Sequence, residues 1–358
     1  MVNKWQMFFL IVLTLPIMGH VVLLPLAINL AGRDVWISAI IAIPIGFLFS
    51  FILYRLRLIY PDEPIYKAQK SLFGNFAGNG IAILFFLYFT FLASLSIAAL
   101  IDMVNASFLI ATPSWILVAV FLLLSMYGAA KGAKGIALTA GILFFIVMLT
   151  GHSITFTNFR ERDIYELMPF LEHGWKPVLL GALLFSTVWI ELLFLLTIPL
   201  EHPCKKYTFT LWLVSVIANV FMMLSTSTGA IMTFGLEQTD NFVYPALEIV
   251  RVVTLKFIDR LDVYALILMT FGSFIRGSLF LLIAYEQLTV LKKPNKKGKN
   301  VVVFTVISIL IGIFAYIMVD TRRHLEFFLT LYAYTIVLFP LPFLLLFLAK
   351  YRKRKGYY

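Results

Sequence analysis

The chain has 358 residues, of which 61% are hydrophobic, 16% aromatic and only 13% charged, and it carries 35 Phe and a net charge of +11. A soluble domain carries about 25% charged residues, so a free globular domain is excluded and lipid must solvate much of the surface. The basic excess falls in short loops between apolar runs, which assigns it to orientation against an anionic leaflet and not to nucleic acid.

A membrane helix needs about 20 apolar residues. Ten runs approach or exceed that length: 6–30, 35–58, 80–104, 113–130, 135–154, 177–200, 207–235, 261–290, 300–319 and 326–349. The first is longer than the roughly 7–15-residue core of a signal peptide and lacks an A-x-A cleavage site, so it reads as a retained helix. With the N-terminus inside, 19 of the 29 Lys and Arg fall on the inner side and nine on the outer, and Arg276 lies within a span. The positive-inside rule then places both termini in the cytoplasm, which ten spans allow. The expected class is an all-α integral membrane protein, one membrane domain over 1–358. Its two five-helix halves cover about 6–154 and 177–349, followed by a basic tail, 350–358.

Two connections read as short helices. Between Pro61 and Gly78, apolar Ile65, Ala68, Leu72, Phe73 and Phe76 alternate with polar residues, the pattern of a helix lying on the inner membrane surface. On the other side, Pro245-Ala-Leu-Glu-Ile-Val250 reads as an outer helix. The single cysteine, Cys204, excludes an intrachain disulfide, and no Cys/His metal spacing is present. There is no G-x-S-x-G, phosphate-binding loop or H-E-x-x-H motif, so neither an enzyme nor a cofactor is expected.

Helices one and six head the two halves, and both contain interrupters. Helix one has Pro16, Gly19 and Pro25; helix six has Gly181, Ser186-Thr187, Glu191 and Pro199. Interrupted helices at matching places in two halves mark an inverted-repeat transporter, because backbone freed at membrane depth is tolerated only beside a polar cavity or ligand. Four ionisable residues, His20, Asp102, Glu191 and Arg276, lie inside spans, and lipid-facing Asp or Arg there costs at least about 2.5 kcal/mol. Either Glu191 or Asp102 meets a cationic ligand group or carries a proton, or one of them pairs with Arg276 and locks helices together. The sequence leaves both partners open.

The order of motifs resembles the spore germination permeases, the B subunits of nutrient-germinant receptors within the amino acid–polyamine–organocation superfamily. The resemblance is carried by Gly19-His-Val-Val-Leu-Leu-Pro25, Ala31-Gly-Arg-Asp-Val-Trp-Ile-Ser38, Tyr60-Pro-Asp-Glu-Pro64, Leu72-Phe-Gly74 and Thr112-Pro-Ser-Trp115. Further on it is carried by Met168-Pro-Phe-Leu-Glu-His-Gly-Trp-Lys-Pro177, Glu191-Leu-Leu-Phe-Leu195, Tyr244-Pro-Ala-Leu-Glu248 and Leu261-Asp-Val263. It implies a LeuT-like fold of two inverted five-helix repeats with broken helices 1 and 6. It also implies a small-nutrient pocket bordered by helices 1, 3, 6 and 8, a place in the spore inner membrane, and partnership with an A subunit and a lipoprotein C subunit. The residues expected at the pocket are Gly19, His20, Val21, Val22, Asp102, Thr187, Val188, Trp189, Glu191 and Arg276. Val21-Val22 and Val188-Trp189 are bulkier than the small residues such permeases place there, which implies a smaller or reshaped pocket. Arg276 falls where sodium-coupled relatives hold a cation, which argues against sodium coupling. The runner-up function is proton-coupled amino acid or amine transport.

Overall fold

The first span starts at a capping box. Asn3 Oδ1 accepts the Trp5 and Gln6 N–H groups at 3.0 and 2.9 Å, and Gln6 Oε1 accepts the Asn3 N–H at 3.0 Å. Helix α1 runs over Lys4–Thr14. Pro16 then removes an N–H and crowds the carbonyl four residues back. The chain passes through a π-helical stretch, Met18–Leu23, before α2, Leu24–Ala31, resumes with Pro25 in its first turn. Gly32, at φ 56°, reverses the chain into α3, Val35–Arg57.

This computed structural model describes residues 1–61, 63–158, 162–201, 207–252, 262–291 and 301–354, without the side chains at 20–22, 154, 290 and 291. Cys204, the basic loop residues at 205–206 and 292–299, Arg160, Lys256 and Arg260 therefore lie outside the described residues. After the second span comes α4, Ile65–Phe73, then α5, Asn75–Ser107, α6, Ser114–Ala130, and α7, Gly132–Thr157. The sixth span is α8, Trp175–Ile190, a 3₁₀ turn, Glu191–Leu193, and α9, Phe194–Thr197. Helix α10, Thr208–Asp240, is followed by the short α11, Pro245–Val252, and by α12, Asp262–Leu291, and α13, Val301–Val319. The last span is α14, Arg322–Tyr334, a 3₁₀ turn, Thr335–Leu338, and α15, Leu341–Arg354.

Among the described residues these make ten spans. Eight helical runs are long and apolar enough to cross a membrane, and Lys4–Thr14 and Ser114–Ala130 are shorter apolar helices that complete the set. Large apolar side chains such as Phe51, Leu123, Phe145, Leu149, Phe221 and Ile313 are exposed on the outside of the bundle, where hydrocarbon replaces water as solvent. The third span begins at Asn75, not at 80. The polar Asn75–Gly80 segment depresses hydropathy but remains helical, because Gly78 lets it close onto the backbone of Gln69 and Lys70 in α4. Span one breaks after Thr14 and goes on through a π-helical stretch, and span six passes from α8 through a 3₁₀ turn to the short α9, the interruptions expected in helices 1 and 6.

Helix α12 is the central post, touching α1, α5, α6 and α7. Small residues permit this. A Cβ on Gly277 would stand 2.7 Å from Ser125 Oγ, one on Gly128 2.2 Å from Ser278 Oγ, and one on Gly272 2.3 Å from Ile17 Cδ1. Without a hydrophobic drive between helices in lipid, such close approach is what holds spans together. Gly277→Leu is expected to lower stability by about 1–3 kcal/mol through overpacking, read as a drop in thermal midpoint in detergent. An unchanged midpoint would mean that spans four and eight do not meet there.

The face carrying the termini is tied together by backbone. Val2 N–H donates to Pro199 O and Glu201 N–H to Val2 O, both at 2.8 Å, which joins the start of span one to the end of span six. The fully buried Arg57 donates to Glu63 O at 2.6 Å and to Ile198 O at 3.3 Å and stacks on Tyr60. The C-terminal helix returns to this face, with Arg352 beside Gly74.

Candidate functional site: a buried ion pair joining five spans

Both interruptions place polar groups at one depth. Thr14 ends α1, so its carbonyl is among those a helix end leaves without an intrahelical donor. Glu191 caps α8 and opens the 3₁₀ turn of span six. Midway along α12, Arg276 reaches both. Its Nη1 donates to Thr14 O at 2.7 Å and to Glu191 Oε2, and its Nη2 donates to Glu191 Oε1 at 3.0 Å. Arg276 Nε donates to Ser96 Oγ in span three at 3.0 Å. From span ten, the Tyr332 hydroxyl donates to Glu191 Oε1 at 2.7 Å. Spans one, three, six, eight and ten therefore converge on one carboxylate and one guanidinium.

Both charged side chains are 0% exposed, so each is neutralised and hydrogen-bonded from within the protein. Four of the five guanidinium N–H donors are matched, and the ring of Phe280 lies 5.0 Å from the guanidinium carbon. The fork-to-fork geometry is the strongest form of this interaction, and it is what makes two ions tolerable at such depth.

The other residues expected at the pocket are distributed differently. Asp102 lies near the far end of α5, where it pairs with Arg322 at 2.6 Å and accepts from the Tyr244 hydroxyl. Burial, and after it the negative charge of Asp102, holds the Tyr244 phenol well above its ordinary range, so the phenol is the donor. Trp189 points to span two: its Nε1 donates to Ala42 O at 2.9 Å, and its ring fills the space left by Gly46. Thr187 Oγ1 donates to Ala333 O at 3.3 Å, just before the 3₁₀ turn of span ten. Val188 is buried in the apolar core, and Gly19 makes room for Met223 of span seven. The π-helical backbone carries His20, Val21 and Val22, whose side chains lie outside the described residues. Sequence reasoning missed Ser96, Tyr332 and Arg322. Ser96 and Tyr332 are ordinary packing residues of membrane helices; for span ten, Pro340 and Pro342 signalled a break close to Tyr332.

Described residues line a basin and a groove on the surface. A basin of about 600 Å³ at the face opposite the termini is bordered by Arg33, Glu166, Gly235, Glu237, Gln238 and Asn241. An apolar groove of about 320 Å³ runs between spans three and ten past Tyr88 and Thr335. Neither is lined by Glu191 or Arg276.

Residues 1–351 match the profile of the family described as "Spore germination protein", the spore permeases. The chain belongs to the spore germination permease family. Relatives of this permease include spore germination protein XB of Bacillus anthracis, 27% identical over 304 residues that cover 85% of this chain and 84% of that one. Spore germination protein KB of Bacillus subtilis (strain 168) is 25% identical over 261 residues, 71% of this chain and 69% of that one. In three dimensions the permease is similar to a Na⁺-coupled sialic acid symporter in its substrate-bound outward-open state. The TM-score is 0.64 at 14% identity, covering 96% of this chain and 78% of the symporter. It is equally similar to Mhp1, a nucleobase-cation-symport-1 family transporter in a closed conformation, with TM-score 0.64 at 15% identity, covering 97% and 77%. At these identities the likeness concerns the fold alone, and that fold is the LeuT-like inverted repeat. The chain is a multi-pass membrane protein with the architecture of a permease.

Proposed function

We propose that this permease is the B subunit of a spore nutrient-germinant receptor. It sits in the spore inner membrane with both termini cytoplasmic, binds a small nutrient at the midplane, and signals through an A subunit and a lipoprotein C subunit. The observation that carries this reading is the Glu191–Arg276 junction at the meeting of five spans in a germination permease. A nutrient with a carboxylate and an ammonium group competes for the two halves of the pair, the carboxylate for Arg276 and the ammonium for Glu191. Exchange of internal contacts for ligand contacts loosens spans one, six, eight and ten from one another. A ligand that binds the loosened state better shifts the population toward it, and that shift is the signal passed to the partners. The fixed positive charge of Arg276 takes the Thr14 carbonyl, so a sodium ion is not needed to satisfy it.

Tyr332→Phe tests this reading without leaving a buried charge unpaired. It removes one hydrogen bond to Glu191, worth about 1 kcal/mol. Spores carrying it are expected to show an altered half-maximal concentration for one nutrient, by about 5-fold, at unchanged receptor abundance by immunoblot. Unchanged responses to every nutrient in the panel would sink the reading. Proton-coupled transport keeps support from the fold; accumulation of labelled amino acid in proteoliposomes distinguishes it from a receptor that does not transport.

A further inference from the structure

Arg162 leaves the fifth span's end and turns inward at the face opposite the termini. The neighbouring backbone fixes its position, since Asp163 N–H donates to Met232 O of α10 at 2.8 Å. Its guanidinium lies against Gly229, where a Cβ would stand 3.1 Å from Nη2 and 3.6 Å from Ile249 Cδ1 of α11. Arg162 Nε is buried with no hydrogen-bond partner, and burial holds the group below its ordinary value. No carboxylate among the described residues pairs with it. Glu248 of α11 is taken by Arg251 at 2.6 Å, and Asp163 Oδ1 accepts the Tyr165 N–H at 2.9 Å. Glu166 sits farther along α10, against Gly235.

A second unmet group adjoins the same helix. Asn158 is fully buried and donates its Nδ2 to Ile249 O at 3.3 Å, while its Oδ1 has no partner. The Arg162 Nε beside Gly229 and the Asn158 Oδ1 beside Ile249 each lack half of a hydrogen-bonding pair. A polar group left buried without its hydrogen bond is costly, so the missing partner is one that supplies an anion and a donor together.

We propose that Arg162 and Asn158, between the ends of spans five and seven and α11, form a binding site for a small solute. Arg162 holds the solute's carboxylate, and Asn158 Oδ1 accepts from an adjacent donor on the same molecule. This site is separate from the Glu191–Arg276 junction and does not depend on the receptor reading. Gly229 is what gives the guanidinium room, and the fork of Arg162 suits a planar carboxylate.

The test uses the full-length protein in detergent and three probes at matched ionic strength: glycine, acetate and methylammonium. A ligand that binds only the folded state raises the thermal midpoint. Glycine is expected to raise it by several degrees, acetate by less and methylammonium not at all. Arg162→Gln abolishes the glycine shift, and Arg162→Lys keeps a reduced one. Without ligand, Arg162→Gln melts no lower than the parent, because the half-buried guanidinium gives up no hydrogen bond at its Nε. A lower midpoint without ligand would show a structural pairing of Arg162 and overturn the proposal. So would an undiminished glycine shift in Arg162→Gln, the absence of any shift with glycine or acetate in the parent, or methylammonium matching glycine. Acetate equal to glycine would remove Asn158 from the site.

Discussion

Arg276→Met alone is expected to destabilise the permease by about 3–5 kcal/mol, and Arg276→Met with Glu191→Leu to recover most of that loss. The single change leaves the Glu191 carboxylate fully buried, with the Tyr332 hydroxyl as its one remaining donor among the contacts described above. It also frees the Thr14 carbonyl and Ser96 Oγ, which Arg276 now satisfies. In the double change no ion remains at this junction, and two apolar side chains of similar reach fill the space. Well-packed replacements of a buried pair are often neutral or stabilising. Thermal midpoints of the two variants in detergent, with abundance in the membrane fraction, check this directly. If the single change leaves the midpoint where it was, water reaches Glu191 and the junction is open, not sealed. If the double change is as unstable as the single one, the pair is needed for the geometry of spans one and six and not only for charge neutrality.

The double variant also separates stability from response. A folded, abundant double variant that no longer answers any nutrient makes the pair the point of ligand competition. One that answers as the parent does would move the ligand site away from the midplane.

Trp189→Ala is expected to cost about 3–5 kcal/mol, with a matching fall in abundance in the membrane. The indole is fully buried, bonds Ala42 O, and packs so closely on span two that a Cβ on Gly46 would stand 2.8 Å from its Cε2. The lost volume cannot be refilled by rigid-body collapse, because Ser38 donates to Val178 O at 2.8 Å and holds spans two and six at a fixed separation. Trp189→Phe removes the hydrogen bond and part of the ring, and about 1–2 kcal/mol is expected for it. Nutrient concentration dependence in Trp189→Phe spores should match the parent's. A shift for one nutrient with abundance preserved would show that the indole reaches a ligand, as the sequence motif suggested, and that span six rotates when the receptor binds.

Composition, apolar run length and the spacing of Lys and Arg determined the membrane class, the ten spans and the two short connecting helices. These are properties of local sequence: a span is legible because about 20 apolar residues have no other stable place. The interrupted helices were legible too, since Pro16 and Pro25 act on their own turns of helix. The partner of the freed backbone was not, because the donor to Thr14 O comes from Arg276, 262 residues away. The same limit explains Asp102 and Glu191. Each is a lone carboxylate in an apolar run, and sequence shows that each needs a partner without saying which. The tertiary structure decided it by depth and facing: Asp102 meets Arg322 where span three ends and span ten begins, and Glu191 of span six meets Arg276 of span eight. Trp189 differs from its neighbour Glu191 by two positions, roughly 200° around a helix. That rotation turns it to span two and leaves the carboxylate facing the centre.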